Sequence, residues 1–274
     1  MEQALILLPA FVISALMIFS HTYLGLHVLA RGIIFVDLAL AQVAALGISF
    51  ALLLGEDPHG VTAQIYAFIA TLSVAFVFAG LRRIPGKTTR EVIIGCVYVV
   101  ATALSVVILS RSNQGMEELK FLLNGNILWV RWEEVAVVAG ATVLLAILHF
   151  IYRQRFYALS FSQDKTNEPG FLWEFIFFAS FAIIITLAVN VAGVLLVFAF
   201  LIIPAFSASL LSASLASRMF IGWVLGLLGT IAGLWLSFNA DLPVGATVVS
   251  VVGLLPVVAL LTIYVKRLVA RNVG

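Results

Sequence analysis

The chain has little charge and almost no cysteine, and both shortages narrow its class. Lys, Arg, Asp and Glu make up 10% of its 274 residues, against about a quarter in soluble domains. No long polar stretch interrupts the apolar ones, so there is no place for a soluble domain. No Gly-rich phosphate loop is present: Lys87-Thr88 is the nearest Lys-Thr pair, and it lacks the first glycine at the required spacing. A nucleotide-binding domain is therefore excluded, and residues 1–274 read as one transmembrane domain. Cys96 is the only cysteine, so no internal disulfide can form. A lone thiol in an apolar run is expected to be buried for packing. His-Glu-x-x-His and clustered aspartates, the constellations an intramembrane enzyme needs, are missing too. No catalytic residue is assigned. A cleavable signal peptide is not expected either, because Glu2 stands where a basic region would and the apolar run is too long.

What is present is hydrophobicity: 63% of residues are apolar and the mean hydropathy is +1.18. A hydrocarbon core about 30 Å thick needs roughly 20 apolar helical residues. The sequence therefore predicts an all-α, polytopic membrane protein with about nine spans, near 4–29, 33–54, 61–81, 91–109, 133–152, 172–189, 191–211, 219–238 and 244–265. Only Asn190 and Gly193 separate the sixth from the seventh, so the count is eight or nine.

Basic residues set the orientation, because cytoplasmic loops are enriched in them. Nine spans with a cytoplasmic C-terminus put Arg31, Arg82, Arg83, Lys87, Arg90, Arg153, Arg155, Lys165, Arg218, Lys266, Arg267 and Arg271 inside. Only Arg111, Lys120 and Arg131 fall outside, and the N-terminus then faces out. In the outer loop from Ser110 to Trp132, Met116, Leu119, Leu122 and Leu123 recur at helical spacing, which predicts an amphipathic helix lying on the membrane face and ended by Gly125. Glu56, Asp57 and His59 share a short outer loop that reads as a cation contact or as an ordinary turn. Gly222, Gly226, Gly229 and Gly233 form two GxxxG pairs, which let helix backbones approach closely. Pro204, inside the seventh span, is expected to kink it.

Asp37 lies in the apolar run Ile33–Gly47. A carboxylate near the middle of a span costs about 2.5–3.5 kcal/mol even on the lenient insertion scale. It is expected either to pair with Arg31 or a neighbouring helix, or to line a substrate pathway. It is also read as the only carboxylate within the membrane.

Several separated motifs resemble those of one known family. Val191-Ala192-Gly193-Val194-Leu195-Leu196-Val197 leads into Leu201-Ile202-Ile203-Pro204-Ala205, resembling the family's Val-Gly-x-Leu-Leu-Val and Leu-Ile-Ile-Pro-Ala pieces. Asp241-Leu242-Pro243-Val244-Gly245-Ala246 resembles its Asp-Leu-Pro-x-Gly-Ala, with Asp241 available to cap the helix that Pro243 begins. Gly125-Asn126-Ile127-Leu128, Trp132-Glu133 and Leu159-Ser160-Phe161 follow the same order along the chain. In these motifs the chain resembles the permease subunits of zinc/manganese-type ABC importers, and the resemblance implies two permease copies, each bound to a cytoplasmic ATPase subunit that uses the ATP, an extracytoplasmic substrate-binding protein, and a bacterial inner membrane whose lipid surrounds the spans. It implies no cofactor on this chain and no nucleic acid. By position, the ATPase docking loop is Ser162, Gln163, Asp164, Lys165, Thr166, Asn167 and Glu168, although these residues are more polar than the family's loop.

The resemblance also implies a metal site on the second span, where the family carries Gly-Asp-x-x-x-His. Alignment on Gly47 puts Leu38 and Gln42 in the two ligand positions and Asp37 in the glycine position. Asp37 and Gln42 are about 140° apart around a helix. The pathway candidates are Asp37, Gln42 and His21, with Asp37 as the metal ligand. A carboxylate and an amide favour manganese or iron over a soft zinc site. A permease for a non-metal or a metal chelate, or a stand-alone secondary transporter, are the alternatives. The last would want internal repeats and coupling carboxylates.

Overall fold

The structure is a computed structural model that describes residues 2–111, 115–125, 127–162 and 169–273. These residues are helical, with no strand among them. The helices are α1 (Glu2–Arg31), α2 (Val36–Leu53), α3 (Val61–Gly80), α4 (Lys87–Leu109), α5 (Gly115–Asn124), α6 (Trp132–Ile151), α7 (Arg153–Phe161), α8 (Phe171–Leu211), α9 (Leu215–Ala240), α10 (Val244–Val252) and α11 (Leu255–Val273). Eight apolar helical stretches among the described residues are long enough to cross a membrane, α10 and the first part of α11 counting as one. The chain is an integral, multi-pass membrane protein.

α8 is the centre of the bundle and packs against α1, α2, α3, α5, α6, α9, α10 and α11. Its 41 residues would reach about 61 Å as one straight helix, twice the hydrocarbon core. It is not straight. Gly193 has φ 75° and ψ 161°, outside any helical region. Neighbouring residues of α1 show the result. Gly25 lies against Leu201 and Ala205, while His27 and Arg31 meet Phe177 and Glu174. The two halves of α8 therefore lie side by side, and the eight apolar stretches among the described residues fall within the eight or nine expected. The separator is a glycine backbone rather than a polar turn. The helix runs on through Pro204, so the break lies at Gly193 and not at the proline.

The break is held from outside. Gly125, at φ +64°, ends α5 and sits directly on the carbonyl of Ala192 and the amide of Gly193. Two of the sequence motifs thus meet backbone to backbone. α5 packs on α4 and α8, with Leu122 buried, instead of lying free on the membrane face.

Small residues set the other close approaches. A Cβ at Gly47 would lie 2.7 Å from Cα of Ala67, which locks α2 to α3. On α9, Gly222 and Gly226 face Thr22, Pro204 and Ile18 on α1 and α8, whereas Gly229 and Gly233 face Val252 and Val248 of α10. The whole glycine stripe is used within the chain.

Two local expectations change. Asp241 does not cap α10. It ends α9 in the left-handed region at φ 52°, ψ 46°, a conformation that a short polar side chain tolerates better than most. Ser237 closes this turn by donating to Leu242 O at 2.7 Å. Cys96 is exposed on the outward face of α4 and takes no part in a core.

Candidate functional site

Gly32, at φ +65°, ends α1, and a turn over Ile33–Phe35 starts α2 at Val36. Asp37 therefore occupies the first turn of α2 rather than the middle of a span. The N–H groups of a helix N-terminus favour a negative charge there, although Asp37 makes no capping hydrogen bond to them. It is fully buried, and neither oxygen has a hydrogen-bond partner among the described residues. Gln42 is buried further along the same helix.

His21 is buried on α1. Its Nδ1 lies 2.9 Å from Met17 O. A carbonyl can only accept, so Nδ1 carries the proton and Nε2 presents a lone pair with no partner among the described residues. α1 and α2 share no extended packing, because each lies against α8. The structure thus places Asp37 and Gln42 on one helix and His21 on another. Among the described residues, no group of three or more His, Cys, Asp or Glu side chains is arranged to hold a metal ion.

Arg31 does not pair with Asp37. It forms an ion pair with Glu174, in the first turn of α8, and its guanidinium lies 4.7 Å from the Phe177 ring centroid and 5.0 Å from that of Phe178. Glu174 is buried, so Asp37 is not the only carboxylate within the spans. The sequence signal was there, an acid just inside the predicted start of the sixth span, but nothing in the sequence paired it with Arg31.

A second polar group that sequence reasoning missed joins α1, α6, α7 and α8. Tyr23 Oη is 3.0 Å from His149 Nδ1, and His149 Nε2 is 2.9 Å from Ser180 Oγ. Ser180 donates to Phe177 O, so it accepts from Nε2–H, and Nδ1 accepts from Tyr23. His149 is held as one neutral tautomer. Phe156 of α7 stacks flat on it at 3.8 Å, and His27 Nδ1 is 2.7 Å from Ser160 Oγ. The Tyr23–His27 spacing of four was the one visible hint. Ser180→Ala is expected to leave Nε2–H buried and unpaired, lowering stability by about 1–3 kcal/mol. Thermal unfolding of the detergent-purified protein measures this, and an unchanged transition would show the network to be dispensable.

At the opposite end, beside the α8 break, His59, Gln64, Phe121, Trp129, Arg131, Glu134 and Asn190 line a cavity of about 300 Å³. Asp57 accepts the His59 backbone N–H at 2.9 Å, the geometry of an ordinary Asx turn. Glu134 accepts the Arg131 N–H at 2.8 Å and so caps α6. Of the docking loop, Ser162 directly follows α7; Gln163, Asp164, Lys165, Thr166, Asn167 and Glu168 lie outside the described residues.

Known proteins resemble this chain in sequence and in fold. The chain is 25% identical over 253 residues to a Chlamydia pneumoniae protein described as a "probable metal transport system membrane protein", covering 91% of this chain and 86% of that one. It is 24% identical over 241 residues to the manganese transport system membrane protein MntC of Listeria innocua, covering 87% and 84%. Its fold matches a chain of PsaBC from Streptococcus pneumoniae in complex with Fab, with a TM-score of 0.74 at 19% identity over 93% of this chain and 90% of that one. The profile of the ABC 3 transport family covers residues 3–263, nearly the whole length, and the chain belongs to that family.

Proposed function

We propose that the chain is the transmembrane permease subunit of an ATP-binding cassette importer for a divalent metal ion, with manganese the first candidate. The observation that carries this reading is family membership together with similarity to manganese transport membrane proteins over most of the chain. The buried oxygen donors Asp37 and Gln42 suit a hard cation better than zinc. Asp37 and Gln42 are the proposed pathway residues, with His21 Nε2 a further donor on α1.

ATP hydrolysis belongs to a separate cytoplasmic subunit. Its proposed dock is the end carrying α7, at the loop from Ser162 to Glu168. The basic bias of the loops supports that end as the cytoplasmic one. A substrate-binding protein would meet the end carrying α5, and two permease copies would flank one path in a bacterial plasma membrane.

Total cellular metal, read by elemental mass spectrometry, tests the proposal. The strains are a deletion, its complement with the wild-type gene, and its complement with Asp37→Ala at matched protein level, all grown in metal-depleted medium. The deletion is expected to lose manganese several-fold, the wild type to restore it and Asp37→Ala to fail. Restoration by Asp37→Ala would remove Asp37 from the path. An unchanged metal content in the deletion would overturn the metal substrate and leave a chelate or non-metal solute. Uptake into vesicles lacking ATP, driven by an ion gradient alone, would overturn the ATP-dependent reading.

A further inference from the structure

Between α1, α6, α7 and α9, at the end carrying α7, an open cleft of about 740 Å³ runs along the flank of the bundle. Phe19, Leu145, Ala146, Met219 and Trp223 make its deeper walls apolar. Arg153, Gln154 and Tyr157 of α7 stand at its mouth, all exposed. From Thr142 to Arg153 the wall rises about 16 Å at roughly 1.5 Å per residue. One leaflet of the hydrocarbon core is about 15 Å deep. Tyr23 and His149, on the inner wall, are engaged with each other. They offer rings to an occupant, not a cluster of ion ligands.

The cleft thus has the polarity gradient of a phospholipid: apolar for the depth of one leaflet, then cationic and hydrogen-bonding at its edge. Basic pockets between membrane helices hold anionic headgroups, and a guanidinium matches a phosphate with paired N–H donors. Arg155 on α7 and Arg218 on α9 do not line the cleft: Arg155 lies over the Trp173 ring and Arg218 donates to Ser212 O, so the cation at the mouth is Arg153. We infer that the cleft binds an anionic phospholipid from the leaflet at the α7 end. One acyl chain lies between α1, α6 and α9, and the phosphate sits at Arg153. α7 is tied to the core through Phe156 on His149 and Ser160 on His27, so a lipid seated there bears on the position of α7. This inference is independent of which solute is transported. A second copy of the chain is the competing occupant, and the cationic mouth argues against it, because an identical flank would bring like charges together.

Native mass spectrometry of the full-length detergent-purified protein, offered phosphatidylglycerol or phosphatidylcholine, tests it. The wild type is expected to retain phosphatidylglycerol about five-fold more than phosphatidylcholine. Arg153→Ala is expected to bring the two within about two-fold. Ala146→Trp fills the cleft from an exposed helix position and is expected to remove retention of both. Equal retention of the two lipids by the wild type overturns the inference, as does undiminished retention by Ala146→Trp. A change of Ala146→Trp from dimer to monomer assigns the cleft to contact between copies and overturns it as well. If Ala146→Trp does not fold, the lipid preference of Arg153→Ala decides alone.

Discussion

Gly125→Ala is expected to destabilise the protein by more than about 3 kcal/mol and to remove most folded protein from membranes. Two causes add. The residue sits at φ +64°, where an L side chain is strained, at a cost of about 1–2 kcal/mol. The added Cβ would also overlap the carbonyl of Ala192 and the amide of Gly193. Those are backbone atoms at the α8 break and cannot rotate aside, so the loop and the break must separate. Gly193→Ala acts on the same joint through its own φ 75°, ψ 161°, a region that is essentially glycine's alone. Gly140→Ala is the control, because a Cβ there meets open space. The measurement is the fraction surviving heating, read by size-exclusion chromatography of the fluorescently tagged protein. Similar curves for Gly125→Ala and Gly140→Ala would show that the joint is not held as described.

Arg31→Ala is expected to cost about 3–5 kcal/mol, because it leaves the Glu174 carboxylate buried without its partner. The pair itself need not stabilise the fold, since removing two charges from water offsets much of their attraction. Arg31→Met with Glu174→Leu should therefore recover most of the loss, and a double-mutant cycle should give a coupling at least as large as the loss recovered, about 3 kcal/mol or more. Additive losses in the double variant would show that the two side chains act separately. Transport gives a second readout. A stable double variant that no longer moves substrate would assign the pair to the working cycle and not to the fold.

The span pattern was legible because apolar length is a one-dimensional property. The same holds for α5, whose apolar spacing and terminal Gly125 are both local. What sequence reasoning could not supply were meetings between distant segments. Gly125 and Gly193 stood out separately as motif residues, yet their contact depends on how α8 folds back. Arg31 had a nearby acid in Asp37, and the true partner, Glu174, is local only in three dimensions. Asp37 looked costly because the apolar run Ile33–Gly47 reads as continuous span from residue 33, whereas α2 begins only at Val36 and puts Asp37 in its first turn. The reading of Asp241 as a cap failed for a related reason: one residue cannot both end α9 in a left-handed turn and hold the N-terminus of α10.

The fold-back at Gly193 also bears on how the chain is made. α8 offers 41 residues with no charged turn between its halves, so a translocon scanning for a polar pause meets none. The first half cannot be released with a hydrophilic loop trailing behind it. The two halves should partition into lipid together as a preformed hairpin, with Arg153 and Arg155 before it and Arg218 after it holding both ends on the same side. Gly193 then serves biosynthesis before it serves the mature bundle. A lesion there would first appear as a topological isomer, with everything downstream of residue 193 inverted across the bilayer.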